Sequence, residues 1–222
     1  MKNADYILET LDQMFPNATV ELKHNNNFEL LVAVALSAQT TDIAVNKVTP
    51  ALFNKYPTPY ELSKADEKDI EKCIKTIGLY RNKAKNIKAL SKDLVDKFEG
   101  EVPSNRKDLE SLPGVGRKTA NVVLSNAFHI PALAVDTHVA RVSVRLGFAK
   151  VGDSVLTIEN KLMRKIPKDK WQQAHHQLIF FGRYHCLARN PKCSVCPLFD
   201  MCKFKEKYEY RWQWVGDNSF FF

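Results

Sequence analysis

The sequence has no hydrophobic run long enough to cross a bilayer; the longest of note, Leu30 to Leu36, is about a third of the required length. Its opening, MKNADYILETLDQMF, is broken by acidic residues, so no signal peptide is visible and a cytoplasmic location is expected. No alternating apolar and polar runs mark strands. Outside one short window there is a single cysteine, Cys73, which rules out a disulfide scaffold and reads as a core residue.

What is present is helical. Ile7, Leu8, Leu11, Met14 and Phe15 share one helix face, as do Val155, Ile158, Leu162 and Ile166 after the Asp153-Ser154 capping signal. Glycine and proline punctuate the chain into blocks of helix length, predicting an all-α fold of about ten helices with short connections. The chain's 222 residues allow one large domain or two small ones. Lys and Arg number 33 against 25 Asp and Glu, a net +8 that favours a polyanionic partner such as nucleic acid. An echo between the segments starting at Gly78 and Gly114 reads as two turns that each enter a helix.

Cys186, Cys193, Cys196 and Cys202 fall within 17 residues, where even scattering of five cysteines would place about 0.4. In a reducing compartment such clustering marks metal ligands. The spacing C-x6-C-x2-C-x5-C contains one short knuckle, whereas four-cysteine zinc sites usually have two. The looser spacing favours an iron-sulfur centre and leaves zinc open. Between the first two ligands, Arg189 and Lys192 can present cations to a phosphate backbone, or be ordinary surface charges.

Leu112-Pro-Gly114-Val-Gly116-Arg117-Lys118-Thr-Ala120 joins a polar helix, Arg106 to Ser111, to an apolar one expected over Thr119 to Phe128. Gly114 and Gly116 allow close backbone approach, and the N–H groups opening the second helix can hold a phosphate without reading bases. Lys118, beside Arg117 and at the positive end of that helix, is a candidate nucleophile or a phosphate contact. Asp136, after the apolar approach Ile130 to Val135, reads as an N-cap or as a carboxylate that stabilises developing positive charge. His138 either orients it or only occupies the helix's first turn.

LPGVGRKTANVVL, VDTH and the four-cysteine loop, in that order, resemble the endonuclease III family of helix-hairpin-helix DNA glycosylases, as do Leu36 to Asp42 and Ile77 to Tyr80. The likeness runs from about residue 5 to 207. It implies a two-lobed fold: a six-helix lobe over 22–132 with the hairpin at about 106–128, and a cluster lobe of 1–21 and 133–207 carrying a [4Fe-4S] cluster on loop 186–202. Residues 208–222 form an aromatic tail with no assigned role. By the same resemblance Lys118 is the catalytic lysine, Asp136 the essential aspartate, and Gln39 and Leu79 fill or wedge a duplex from which a nucleotide is flipped. The implied partner is double-stranded DNA with damaged bases or abasic sites, met by a monomer away from membranes. The implied reaction is removal of an oxidised pyrimidine followed by β-elimination at a Schiff base. A monofunctional mismatch glycosylase would lack a lysine at position 118; a non-catalytic DNA-binding module would carry structural zinc.

Overall fold

The computed structural model describes residues 2–212. Trp214 and Phe220 to Phe222 of the aromatic tail lie outside them. No strand occurs among the described residues, and no helix there is long and apolar enough to cross a membrane. The chain divides into two compact units, Val20–Ala132 and Met1–Thr19 joined with Leu133–Phe222.

The continuous unit contains α2 (Asn27–Leu36), α3 (Asp42–Lys55), α4 (Pro59–Lys64), α5 (Glu67–Ile74), α6 (Tyr80–Phe98), α7 (Arg106–Ser111) and α8 (Arg117–Ala127). Its axis is α2, buried on every side from Phe28 to Leu36 and packed against α3, α6 and α8. A helix apolar all round can be satisfied only at the centre of a bundle. Asn26 starts it, its side chain accepting the Glu29 N–H. The others bury one face: Ile70 and Ile74 of α5, and Ala84, Ile87, Leu90 and Leu94 of α6. Cys73, on the same helix as Ile70, is only half-buried.

The second unit is assembled from both ends of the chain: α1 (Lys2–Met14), α9 (Thr137–Arg145), α10 (Val155–Lys165), α11 (Trp171–Phe180) and the short α12 (Glu209–Trp212). Ile7, Leu8 and Leu11 join Val139, Val142, Ile158, Leu162, Leu178 and Phe181 in one core. Both expected amphipathic helices are thus present, and each buries the predicted face except Val155, which is exposed at the first turn of α10. Gln177 Nε2 donates to Asp12 Oδ1 at 2.6 Å and fastens α11 to α1 across 165 residues of sequence.

The segments after Gly78 and Gly114 do each enter a helix, with Ala84, Ile87, Ala120 and Val123 buried. The second helix begins earlier than the sequence predicts, at Arg117 rather than Thr119, because Gly116 takes the extended N-cap conformation. Lys118 is therefore its second residue.

Candidate active site and metal centre

The hairpin between α7 and α8 is closed by Val115 N–H donating to Leu112 O at 3.1 Å. Pro113 and Gly114 occupy its two central positions, and Gly114 has φ +77°, which a type II turn requires there. A Cβ at Gly114 would also lie 3.1 Å from Asn86 Cβ. Gly116 is different: its φ is ordinary, and a Cβ would meet nothing within 4 Å. The protein's own packing does not demand a glycine there, and the space beside it faces outward. Asn105, Asp136 and Ser154 cap α7, α9 and α10 through their side chains, whereas α8 has no side-chain cap. Its first N–H groups are thus set for an acceptor from outside. Exposed Lys118 lies in the same turn.

Residues Ala132 to Val135 are buried and deliver Asp136 half-buried to the start of α9. Its Oδ1 accepts the Val139 N–H at 2.8 Å, so the carboxylate is an N-cap, with further acceptor capacity on its oxygens. The segment entering it is held by His175, whose Nδ1 lies 2.9 Å from Ala134 O. His138 bonds Arg141 Nη2 through Nδ1 at 3.3 Å and packs against Gly182, where a Cβ would lie 2.9 Å from its own. Burial lowers the His138 pKa, opposed by the Asp136 charge.

Gln39 and Leu79, separated by forty residues of sequence, share a conformation that side chains rarely adopt: φ is +54° and +59°. Each costs about 1–2 kcal/mol relative to right-handed backbone. Leu79 is also 57% exposed, so neither its backbone nor its hydration favours a leucine. Strain of this kind gathers where function requires a fixed side-chain direction.

The four loop cysteines all line one cavity. A five-residue π turn, Phe181–His185, ends α11, and Cys186 N–H donates to Phe181 O at 2.6 Å, which turns the first ligand inward. Among the described residues no three His, Cys, Asp or Glu side chains converge as a single metal ion requires. Four cysteines lining one cavity suit a polynuclear cluster.

The lining fits an anionic, sulfur-rich group. Arg145 Nη1 donates to Cys186 Sγ at 3.3 Å. Buried Lys207 donates to Phe199 O and Cys202 O at 2.6 and 3.0 Å. His185 Nε2 is buried with no partner among the described residues, and His185 lines the cavity. Burial pushes the Cys196 thiol up to about 12 and raises Cys193 and Cys202, each further raised by neighbouring cysteines. Thiols so placed ionise on metal coordination.

Arg189 and Lys192 are exposed on the turn between the first two cysteines, where Asn190 is left-handed at φ +50° and Lys192 N–H donates to His185 O at 3.1 Å. Of the site residues expected from sequence, the structure gathers the cysteines at one cavity and Gly114, Gly116, Arg117 and Lys118 at one hairpin. Lys118 belongs to the continuous unit and Asp136 to the other. Sequence reasoning missed Arg145, His185 and Lys207. Only His185, as neighbour of Cys186, carried a signal.

Residues 32–168 match the model of the HhH-GPD superfamily base excision DNA repair proteins, and residues 186–202 that of the iron-sulfur binding domain of endonuclease III. The chain is 55% identical over 207 residues to endonuclease III of Bacillus subtilis, covering 93% of this chain and 94% of that one. It is 47% identical over 203 residues to endonuclease III of Escherichia coli K12, covering 91% and 96%. The solved structure of a trapped endonuclease III–DNA covalent intermediate superposes with a TM-score of 0.90 at 55% identity, covering 94% of this chain and 97% of that one.

Proposed function

We propose, since the chain belongs to the endonuclease III family of HhH-GPD superfamily base excision DNA repair proteins, that Lys118 and Asp136 carry its chemistry and that its substrates are oxidised pyrimidines and abasic sites in duplex DNA. The protein is a DNA glycosylase with AP lyase activity and an iron-sulfur protein. We read it as a monomer of the cytoplasm.

Lys118 Nζ attacks C1' of the flipped nucleotide; the glycosidic bond breaks with its electron pair leaving on the base, and the amine gives up its proton. Asp136 offsets the positive charge that grows on the sugar. The C1' imine acidifies the C2' proton, whose removal expels the 3' phosphate and nicks the strand. The uncapped start of α8 and the glycine hairpin hold a backbone phosphate, Gln39 and Leu79 occupy the opened stack, and His138, Arg117, Arg189 and Lys192 add contacts to the DNA. Cys186, Cys193, Cys196 and Cys202 would hold the [4Fe-4S] cluster, which when bound supplies four metal–thiolate bonds that order the loop bearing Arg189 and Lys192. Arg145, His185 and Lys207 surround it with donors and positive charge.

The observation that carries the reading is Lys118 exposed on the glycine-bounded, uncapped first turn of α8. The relative solved as a covalent DNA intermediate supports an attacking amine. Borohydride should trap a protein–DNA adduct on an abasic duplex, and Lys118→Gln should reduce trapping to background with DNA affinity retained. Undiminished trapping in that variant would exclude Lys118 as the nucleophile.

A further inference from the structure

One turn beyond Leu79 lies a lysine that this chemistry does not use. Lys83 is 6% exposed, and its backbone N–H donates to Leu79 O at 3.0 Å. Its ammonium reaches the loop between α2 and α3 and donates to Thr40 Oγ1 at 2.5 Å. Thr40 is the immediate neighbour of Gln39, and its N–H donates to Ser37 O at 3.0 Å, closing that loop on the end of α2. No carboxylate pairs with Lys83 among the described residues, and burial holds its pKa below the ordinary lysine value.

Burying an ammonium against a single hydroxyl is costly, and a methionine would fill the same space without that cost. What the ammonium provides is a tie between two segments that are 40 residues apart, each carrying a left-handed, exposed side chain. We propose that Lys83 is a positioning residue that fastens the Gln39 loop to the Leu79 turn, so that both side chains enter the duplex as one preorganised body. This rests on the reading of Gln39 and Leu79 as the residues that occupy the opened stack. Linked beforehand, neither loop has to be ordered during insertion, so the link favours the opened state of the DNA without touching it.

The test uses the full-length protein and a duplex carrying 2-aminopurine beside a tetrahydrofuran abasic analogue, whose fluorescence rises when the stack opens. Lys83→Met and the isosteric Thr40→Val should each slow that rise, and single-turnover base excision on a second duplex carrying an oxidised pyrimidine, three- to tenfold. Thermal unfolding and affinity for undamaged duplex should stay within twofold, Thr40→Ser should restore the rate, and the double variant should be no slower than either single one. Should Lys83→Met fail to fold, the Thr40→Val and Thr40→Ser pair carries the same test. Normal opening in the single variants, or effects that multiply in the double variant, overturns the link. Leu79→Ala and Gln39→Ala separate the two levels: if both leave opening intact, the insertion reading and the link fall together. If they abolish opening while Lys83→Met and Thr40→Val do not, the link alone falls.

Discussion

The two units reach stability by different routes. The continuous unit, Val20–Ala132, closes around one buried helix, α2, and its candidate functional groups sit at the helix start and in the loops around that core. The discontinuous unit is joined from both ends of the chain and buries His175, His176, His185, Gln177, Arg145 and Glu159, holding its last third around a cysteine-lined cavity. The continuous unit also buries polar groups, Glu29, Thr49, Lys83, Ser91, Asn121 and Ser125, but no histidine and none of the four loop cysteines. A unit with buried histidines and a cysteine-lined cavity depends on each partner, on pH and on its cofactor.

The largest expected break between them comes from removing the cluster with oxidant and chelator. Hydrogen exchange should then show residues 186–212 losing protection, with Cys186, Cys193, Cys196 and Cys202 left as buried thiols, while α2 and α8 stay protected. Equal loss of protection in both units would remove the distinction.

A pH change should separate them next. Burial, with smaller contributions from the neighbouring His175 and Arg183, lowers the His176 pKa from 6.5 to about 3. Between those values the unfolded chain binds the proton and the folded one does not, so stability falls as pH drops below about 6.5. The full loss at pH 3 is on the order of 4 kcal/mol. Imidazole nitrogen resonances should show His176 neutral at pH 4.5, and a ring titrating near 6.5 would contradict this.

The smallest effect on folding sharpens the comparison inside the discontinuous unit. Asn caps helices about as well as Asp, so Asp136→Asn should change unfolding free energy by only about 0.5 kcal/mol or less. Base release should nevertheless slow by roughly 10² or more. Loss of stability with unchanged turnover would leave Asp136 as a cap alone.

Several of these features were legible beforehand, for local reasons. The face of α1 follows from apolar spacing, the hairpin from proline and glycine at fixed offsets, and the metal loop from cysteine density. Where the spacing left zinc open, the match of residues 186–202 to the iron-sulfur binding domain of endonuclease III decided for the cluster. The start of α8 was misread by two residues because Gly116 is both a turn residue and an N-cap, and sequence does not rank those roles. Arg145 and Lys207 look like ordinary surface cations in the sequence; they are buried because backbone carbonyls and sulfur from other segments meet them.

By itself, then, the sequence determined the helical class and the clustering of four cysteines, since each depends on residue type and near-neighbour spacing, while the resemblance to a family singled out Lys118 and Asp136 as candidates. Only the tertiary structure decided that Lys83 lies between Gln39 and Leu79, that Lys207 is buried beside the cluster loop, and that Gln177 secures the N-terminal helix. Those contacts join segments from about five to 165 residues apart, and no local pattern specifies which partner a long side chain finds once the backbone has folded.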